Sequence, residues 1–156
     1  MLFRTHFVFA IFIGLIFFEF LEIGFYEKII FGIFLLLATL FVDIDSKQSK
    51  LGSYWIFRPI QLFFSHRGMI HSFLIAGVLS LVIYFFSSSA GIGFFIGYIC
   101  HLFLDFFTKR GIFLFWPIYK KKFCLIGLNS GGIIEEVIFV LLLLCDIFLT
   151  IKYFLT

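Results

Sequence analysis

The stretch MIHSFLIAGVLSLVIYFFSSSAGIGFFIGYICHLFLDFF, residues 69–107, decides the fold. Two apolar runs, 69–86 and 90–107, stand on either side of Ser87-Ser88-Ser89, a small polar turn followed by Gly91. Each run approaches the roughly 20 apolar residues that cross a bilayer as a helix, so the pair reads as a helical hairpin in a membrane. Three further runs of the same kind lie outside it, at residues 7–21, 24–42 and 133–154. Glu19, Glu22, Glu27 and Lys28 surround the turn between the first two, and the last carries Glu135 and Glu136 at its start and Asp146 inside. The expected fold is therefore all-α: a polytopic membrane helix bundle of about five transmembrane helices with short interfacial segments. It forms a single integral-membrane domain over residues 1–156.

Composition agrees. Hydrophobic residues make up 63% of the chain, charged residues 13%, and the mean hydropathy is +1.18, against about half and about a quarter in soluble domains. Twenty-eight phenylalanines and only two prolines exclude collagen-like and disordered classes. Cys100, Cys124 and Cys145 are far apart with no C-x-x-C pair, which argues against a disulfide framework and a thiolate zinc site. A net charge of +3 gives no reason to expect nucleic acid.

The basic residues set the orientation. In the five-span arrangement Arg4, Lys47, Lys50, Arg58, Arg67, Lys109, Arg110, Lys120, Lys121 and Lys122 fall on one side, and Lys28 and Lys152 on the other. The N-terminus is thus expected in the cytoplasm and the C-terminus outside. Residues 56–64 are too short to span and contain Arg58-Pro59, and residues 113–118 contain Trp116-Pro117, so both read as interfacial. Residues 1–20 lack a small-x-small cleavage site, and an uncleaved first helix is expected.

All four histidines, His6, His66, His71 and His101, fall on the cytoplasmic side of this arrangement with Asp43, Asp45 and Asp105. Ionisable groups at membrane depth cost roughly 2.5–3.5 kcal/mol each, so something must compensate them. His101 and Asp105 are four apart on a helix and share a face, which suits either two ligands of one metal or a hydrogen bond between two buried polar groups. Gly68 lets the chain turn between His66 and His71, so both rings can point into a common site. Asp43-Ile44-Asp45-Ser46 reads as a ligand pair or as a helix-end turn, and Thr5 before His6 reads equally as a helix cap. Four imidazoles and three carboxylates form a nitrogen and oxygen donor set for one or two divalent ions; it suits zinc, manganese or iron. Arg67 lies between two of the histidines and is a candidate donor to a phosphate or a developing oxyanion; Lys109 and Arg110 read as membrane-surface anchors. Glu135 either sits in the positive first turn of the last helix, with Ser130 as its cap, or faces the bundle to orient a water or a ligating histidine.

Taken in order, these blocks resemble the YdjM-like inner-membrane proteins, a family described as metal-dependent hydrolases. The blocks are Thr5-His6, Asp43-Ile44-Asp45, Ser65-His66-Arg67-Gly68 with His71-Ser72, Gly97 to Asp105, then Thr108, Gly111 and Pro117, and finally Ser130 to Glu135. The resemblance covers nearly the whole chain. It implies a helical hydrolase of the plasma (inner) membrane, distantly similar to zinc-dependent phospholipase C enzymes that also use a His-x-x-x-Asp pair.

The expected function is therefore hydrolysis of a phosphoester, a phospholipid among the candidates, by metal-activated water at the cytoplasmic membrane surface. The expected metal ligands are His6, Asp43, Asp45, His66, His71, His101 and Asp105. Asp45 or Glu135 would accept a proton and Arg67 would stabilise charge on the transferring group. The competing reading is non-enzymatic: a membrane metal-binding protein, transporter or partner-binding subunit. A polar path to the far face through Glu19, Glu22 or Asp146 would favour it.

Overall fold

The computed structural model describes residues 1–47, 49, 52–63 and 68–155. The chain is an all-helical membrane bundle. Five long helices run in the order α1 (Phe3–Phe20), α2 (Phe25–Phe41), α4 (Phe73–Phe86), α5 (Ser88–Phe106) and α6 (Ile133–Leu155), with the six-residue α3 (Arg58–Phe63) between α2 and α4. No strand forms among the described residues; isolated bridges join Thr108 to Leu128 and Ile112 to Phe123.

The serine turn forms where the sequence places it. Ser87 ends α4 and caps α5, its Oγ accepting the Ala90 N–H at 3.3 Å. Three helical segments, Phe3–Phe20, Phe25–Asp45 and Ser88–Phe106, have the length and apolarity to cross a membrane. α4 starts at Phe73, four residues later than expected, because Ser72 caps it. Its 14 residues reach only about 21 Å, so it is the short member of the bundle. α1 starts earlier than expected, at Phe3 after Leu2, and Thr5 is therefore inside the helix instead of capping it.

α5 is central, packing on α2, α4 and α1, while α6 packs on α1. Two glycines one turn apart on α5 set the α2 distance. A Cβ on Gly93 would stand 2.3 Å from the Phe31 carbonyl oxygen, and one on Gly97 would stand 2.1 Å from that of Leu35. In lipid, where apolar burial gives little drive between helices, such close backbone approach supplies the packing. Phe31, Leu35, Ala38, Val42, Phe94 and Tyr98 fill the seam that results.

Candidate metal centre

Because Gly97 draws α2 against α5, the last turn of α2 is within reach of His101. Thr39 offers its carbonyl oxygen 3.1 Å from His101 Nδ1. A carbonyl can only accept, so Nδ1 carries a proton and, in the neutral ring, Nε2 is the nitrogen left with a lone pair. Nε2 is buried and has no hydrogen-bond partner among the described residues. One turn on, Asp105 is also buried, its backbone carbonyl accepting the Thr108 hydroxyl at 2.8 Å.

Beyond Thr39, α2 tightens into the 3-10 turn Val42–Asp45. At about three residues per turn, positions two apart point in different directions. Asp43 and Asp45 accordingly bracket the His71 ring from its two nitrogens. Asp43 Oδ1 lies 3.7 Å from His71 Nε2, and Asp45 Oδ2 lies 3.3 Å from His71 Nδ1. The turn is pinned from outside: the Gln61 amide of α3 donates to the Ile44 and Gly52 carbonyls at 2.9 and 2.6 Å, and Ser49 Oγ donates to the Asp43 carbonyl at 2.6 Å.

His71 itself is fully buried in the turn ahead of α4. Its N–H donates to the Gly68 carbonyl at 3.0 Å, and the Tyr98 hydroxyl of α5 donates to the carbonyl of Ile70. Burial favours the neutral imidazole, but the carboxylates of Asp43, Asp45 and Asp105 outweigh it and raise the His71 pKa to about 9.

Two of the buried rings thus aim Nε2 at the same space. His71 Nε2 is 3.7 Å from Asp105 Oδ2, and His101 Nε2 is 3.6 Å from Asp43 Oδ1 and 3.9 Å from Asp105 Oδ2. His6 completes the cluster from α1. Its ring stacks on His101 with centroids 4.0 Å apart and 13° between planes, and its Nε2 lies 3.3 Å from Asp105 Oδ1. The Met1 amino group also meets Asp105 Oδ1, at 2.8 Å.

The donors form two groups that could hold an ion, Asp43 with His71 and His101, and His6 with His101 and Asp105, each with ligand atoms within 4.8 Å of one another. Tetrahedral bonds of about 2.1 Å place ligand atoms about 3.4 Å apart, and the histidine–carboxylate separations of 3.3–3.9 Å lie close to that spacing. Imidazole with carboxylate is the donor chemistry of such ions. The Nε2 of His101, buried without a hydrogen-bond partner among the described residues, gives them a reason to be there.

Of the residues singled out in the sequence, the fold brings His6, Asp43, His71, His101 and Asp105 together. Asp45 sits one ring away, on the outer nitrogen of His71. Glu135 stands apart: it accepts the Thr5 hydroxyl at 2.8 Å, the Gly131 N–H at 2.6 Å and the Leu2 N–H, so its carboxylate ties the start of α6 to the start of α1. His66 and Arg67 lie outside the described residues. Sequence reasoning missed Thr39, Gln61 and Tyr98. Thr39 acts through a backbone carbonyl, which no side-chain pattern reveals; Gln61 alone left a signal, as an amide in a short segment whose other residues, Arg58 apart, are apolar.

Comparison with known proteins adds to this geometry. The profile of the family described as "YdjM inner membrane protein" matches residues 1–154. Two proteins called "Inner membrane protein YdjM", from Escherichia coli (strain K12) and Shigella flexneri, are each 36% identical to the chain over 91 residues, 53% of this chain and 46% of the relative. The match thus spans about half the length of those relatives. No solved structure matches.

Proposed function

The chain belongs to the YdjM inner membrane protein family, and from that premise we propose that it is a metal-dependent hydrolase of phosphoesters, acting as a single integral-membrane domain at the cytoplasmic surface of the inner membrane. The observation that carries this reading is the buried Nε2 of His101. It is held in the ligand tautomer by the Thr39 carbonyl and faces two carboxylates and His71. Such an orienting bond on the outer nitrogen is characteristic of metal-bound histidine.

Asp43, His71 and His101 would hold one ion, with Asp105 facing both rings, and His6, His101 and Asp105 form the second group that could hold one. A zinc ion there, or manganese or iron, supplies a Lewis acid that lowers the pKa of water and polarises a phosphoryl oxygen. Asp43 is the open member of the set, its side chain 22% exposed beside partners at 0–2%, so substrate approaches past it. Asp45 keeps a proton on His71 Nδ1, fixing the tautomer that offers Nε2 to the ion. Both carboxylates expected to accept a proton are engaged elsewhere, Glu135 by three protein donors and Asp45 by the outer nitrogen of His71. Glu135 positions α1, and with it His6. Arg67 stabilises charge on the transferring phosphoryl group.

The reading is tested by hydrolysis of a phosphoester panel that includes phospholipids, with purified protein reconstituted in liposomes. Metal-dependent turnover lost in both His101→Ala and Asp105→Ala, with insertion intact, is the expected result. Equal turnover in wild type and both variants would remove the proposal. One observation favours the ion-handling alternative: Asp146 is buried within α6 with Oδ1 lacking a hydrogen-bond partner among the described residues. Metal flux into sealed liposomes, abolished by Asp146→Asn, would select it.

A further inference from the structure

The two connections that flank the candidate centre share an unbalanced charge. Residues 46–68 and 107–132 together contain nine lysines and arginines and no aspartate or glutamate. The second connection is held firmly against the centre. Ile112 and Phe123 exchange backbone hydrogen bonds at 3.1 and 2.9 Å, and Leu114 accepts the N–H of Phe73, two residues after His71, at 3.0 Å. Leu125 donates to the carbonyl of Phe106, next to Asp105, at 2.9 Å. Gly111 makes the tight return possible, with φ at 61° and no room for a Cβ beside the Phe123 carbonyl.

This fixed loop presents Lys120, Lys121 and Lys122 to the exterior beside Tyr119 and Ile118, the latter 93% exposed. Two of the amines lie over aromatic faces, Lys121 Nζ 5.7 Å from the Tyr119 ring centroid and Lys122 Nζ 5.4 Å from that of Phe113. The first connection, tied to the Asp43 turn through Gln61, repeats the combination: Lys47 and Arg58 are exposed with Trp55, itself 81% exposed. Water disfavours such apolar exposure, and hydrocarbon disfavours clustered ammonium groups. The headgroup layer of an acidic leaflet accommodates both.

We propose that Lys47, Trp55 and Arg58 of the first connection and Ile118 to Lys122 of the second form a docking surface for acidic phospholipid headgroups, and that an acidic phospholipid is the substrate class presented to the centre. Lys120, Lys121 and Lys122 supply the charge selection, while Ile118 and Trp55 seat the surface at headgroup depth. The catalytic part of this inference rests on the phosphoester reading above; the docking part stands on charge and exposure alone. Each lysine near an anionic leaflet contributes about a fivefold preference.

The test uses the full chain, purified in detergent and offered phosphatidylglycerol and phosphatidylcholine of identical acyl chains, with retained lipid counted by native mass spectrometry. Wild type should retain the acidic lipid preferentially. The Lys120→Ala, Lys121→Ala, Lys122→Ala triple variant should lose that preference by on the order of tenfold or more, and the corresponding triple arginine variant should keep it. Lys121→Glu, a single charge reversal that should also lower the preference, serves if the triple variant fails to assemble. Equal retention of the two lipids by wild type, or an unchanged preference in the alanine variant, would overturn the docking surface. Metal content is read on the same samples. Absent preference beside retained metal overturns this inference alone, and absent metal beside a retained preference overturns the metal-centre reading alone.

Discussion

At the residue scale, His71 is the most constrained member of the cluster, with a carboxylate on each of its nitrogens. Asp45 serves the outer one at 3.3 Å. Asp45→Asn should therefore weaken zinc binding by about 10- to 100-fold without abolishing it, as measured by competition with a chromophoric chelator; unaltered affinity would show that Asp45 does not act through His71. The pKa of His71, raised from 6.5 to about 9, gives a second expectation. In the metal-free protein its protonated ring stabilises the fold fully below the ordinary imidazole value, and that contribution is lost as pH rises through about 9. The apoprotein's thermal midpoint should fall between pH 6.5 and about 9, while zinc affinity rises over the same window because the proton competes for the ring. A midpoint and affinity both flat across that range would contradict the placement of His71. The histidines and aspartates were legible in sequence because charged groups are rare in so apolar a chain. Their division into inner donors and outer orienters was not, since it depends on the 3-10 turn that splays Asp43 from Asp45.

At the element scale, the α2–α5 contact holds Thr39 against His101, and Gly97 sets its distance. Gly97→Ala forces a methyl to 2.1 Å from the Leu35 carbonyl, whereas Gly77→Ala meets nothing within 4 Å. The first should destabilise the protein by roughly 1–3 kcal/mol and lower its zinc retention; the second should do neither. Unfolding in mixed micelles beside metal analysis checks the pair, and equal behaviour of the two variants would refute the close approach. The helices themselves were readable from apolar run length and the Ser87-Ser88-Ser89 turn. Their starts were less so: Ser72 moves the beginning of α4 past His71, and the tie from Glu135 to the Leu2 N–H and the Thr5 hydroxyl joins residues more than 100 positions apart. Such a contact has no local signature.

At the scale of the whole molecule, His6, the Asp43 turn, His71 and the His101–Asp105 pair lie at one end of the bundle, which five crossings would place with the basic connections in the cytoplasm. Cys124, exposed in the second connection, reports on this directly. A membrane-impermeant maleimide should leave it unlabelled in intact spheroplasts and label it after permeabilisation, and labelling without permeabilisation would invert the proposed orientation. The central claim is that the buried cluster holds a divalent ion. Metal analysis of the detergent-purified protein after dialysis against a weak chelator tests it most directly, with wild type beside His101→Ala and Asp105→Ala. The account predicts near-stoichiometric zinc, manganese or iron in wild type and its loss in both variants at unchanged helical content. A wild type that retains no metal and takes none up when metals are added back would contradict it.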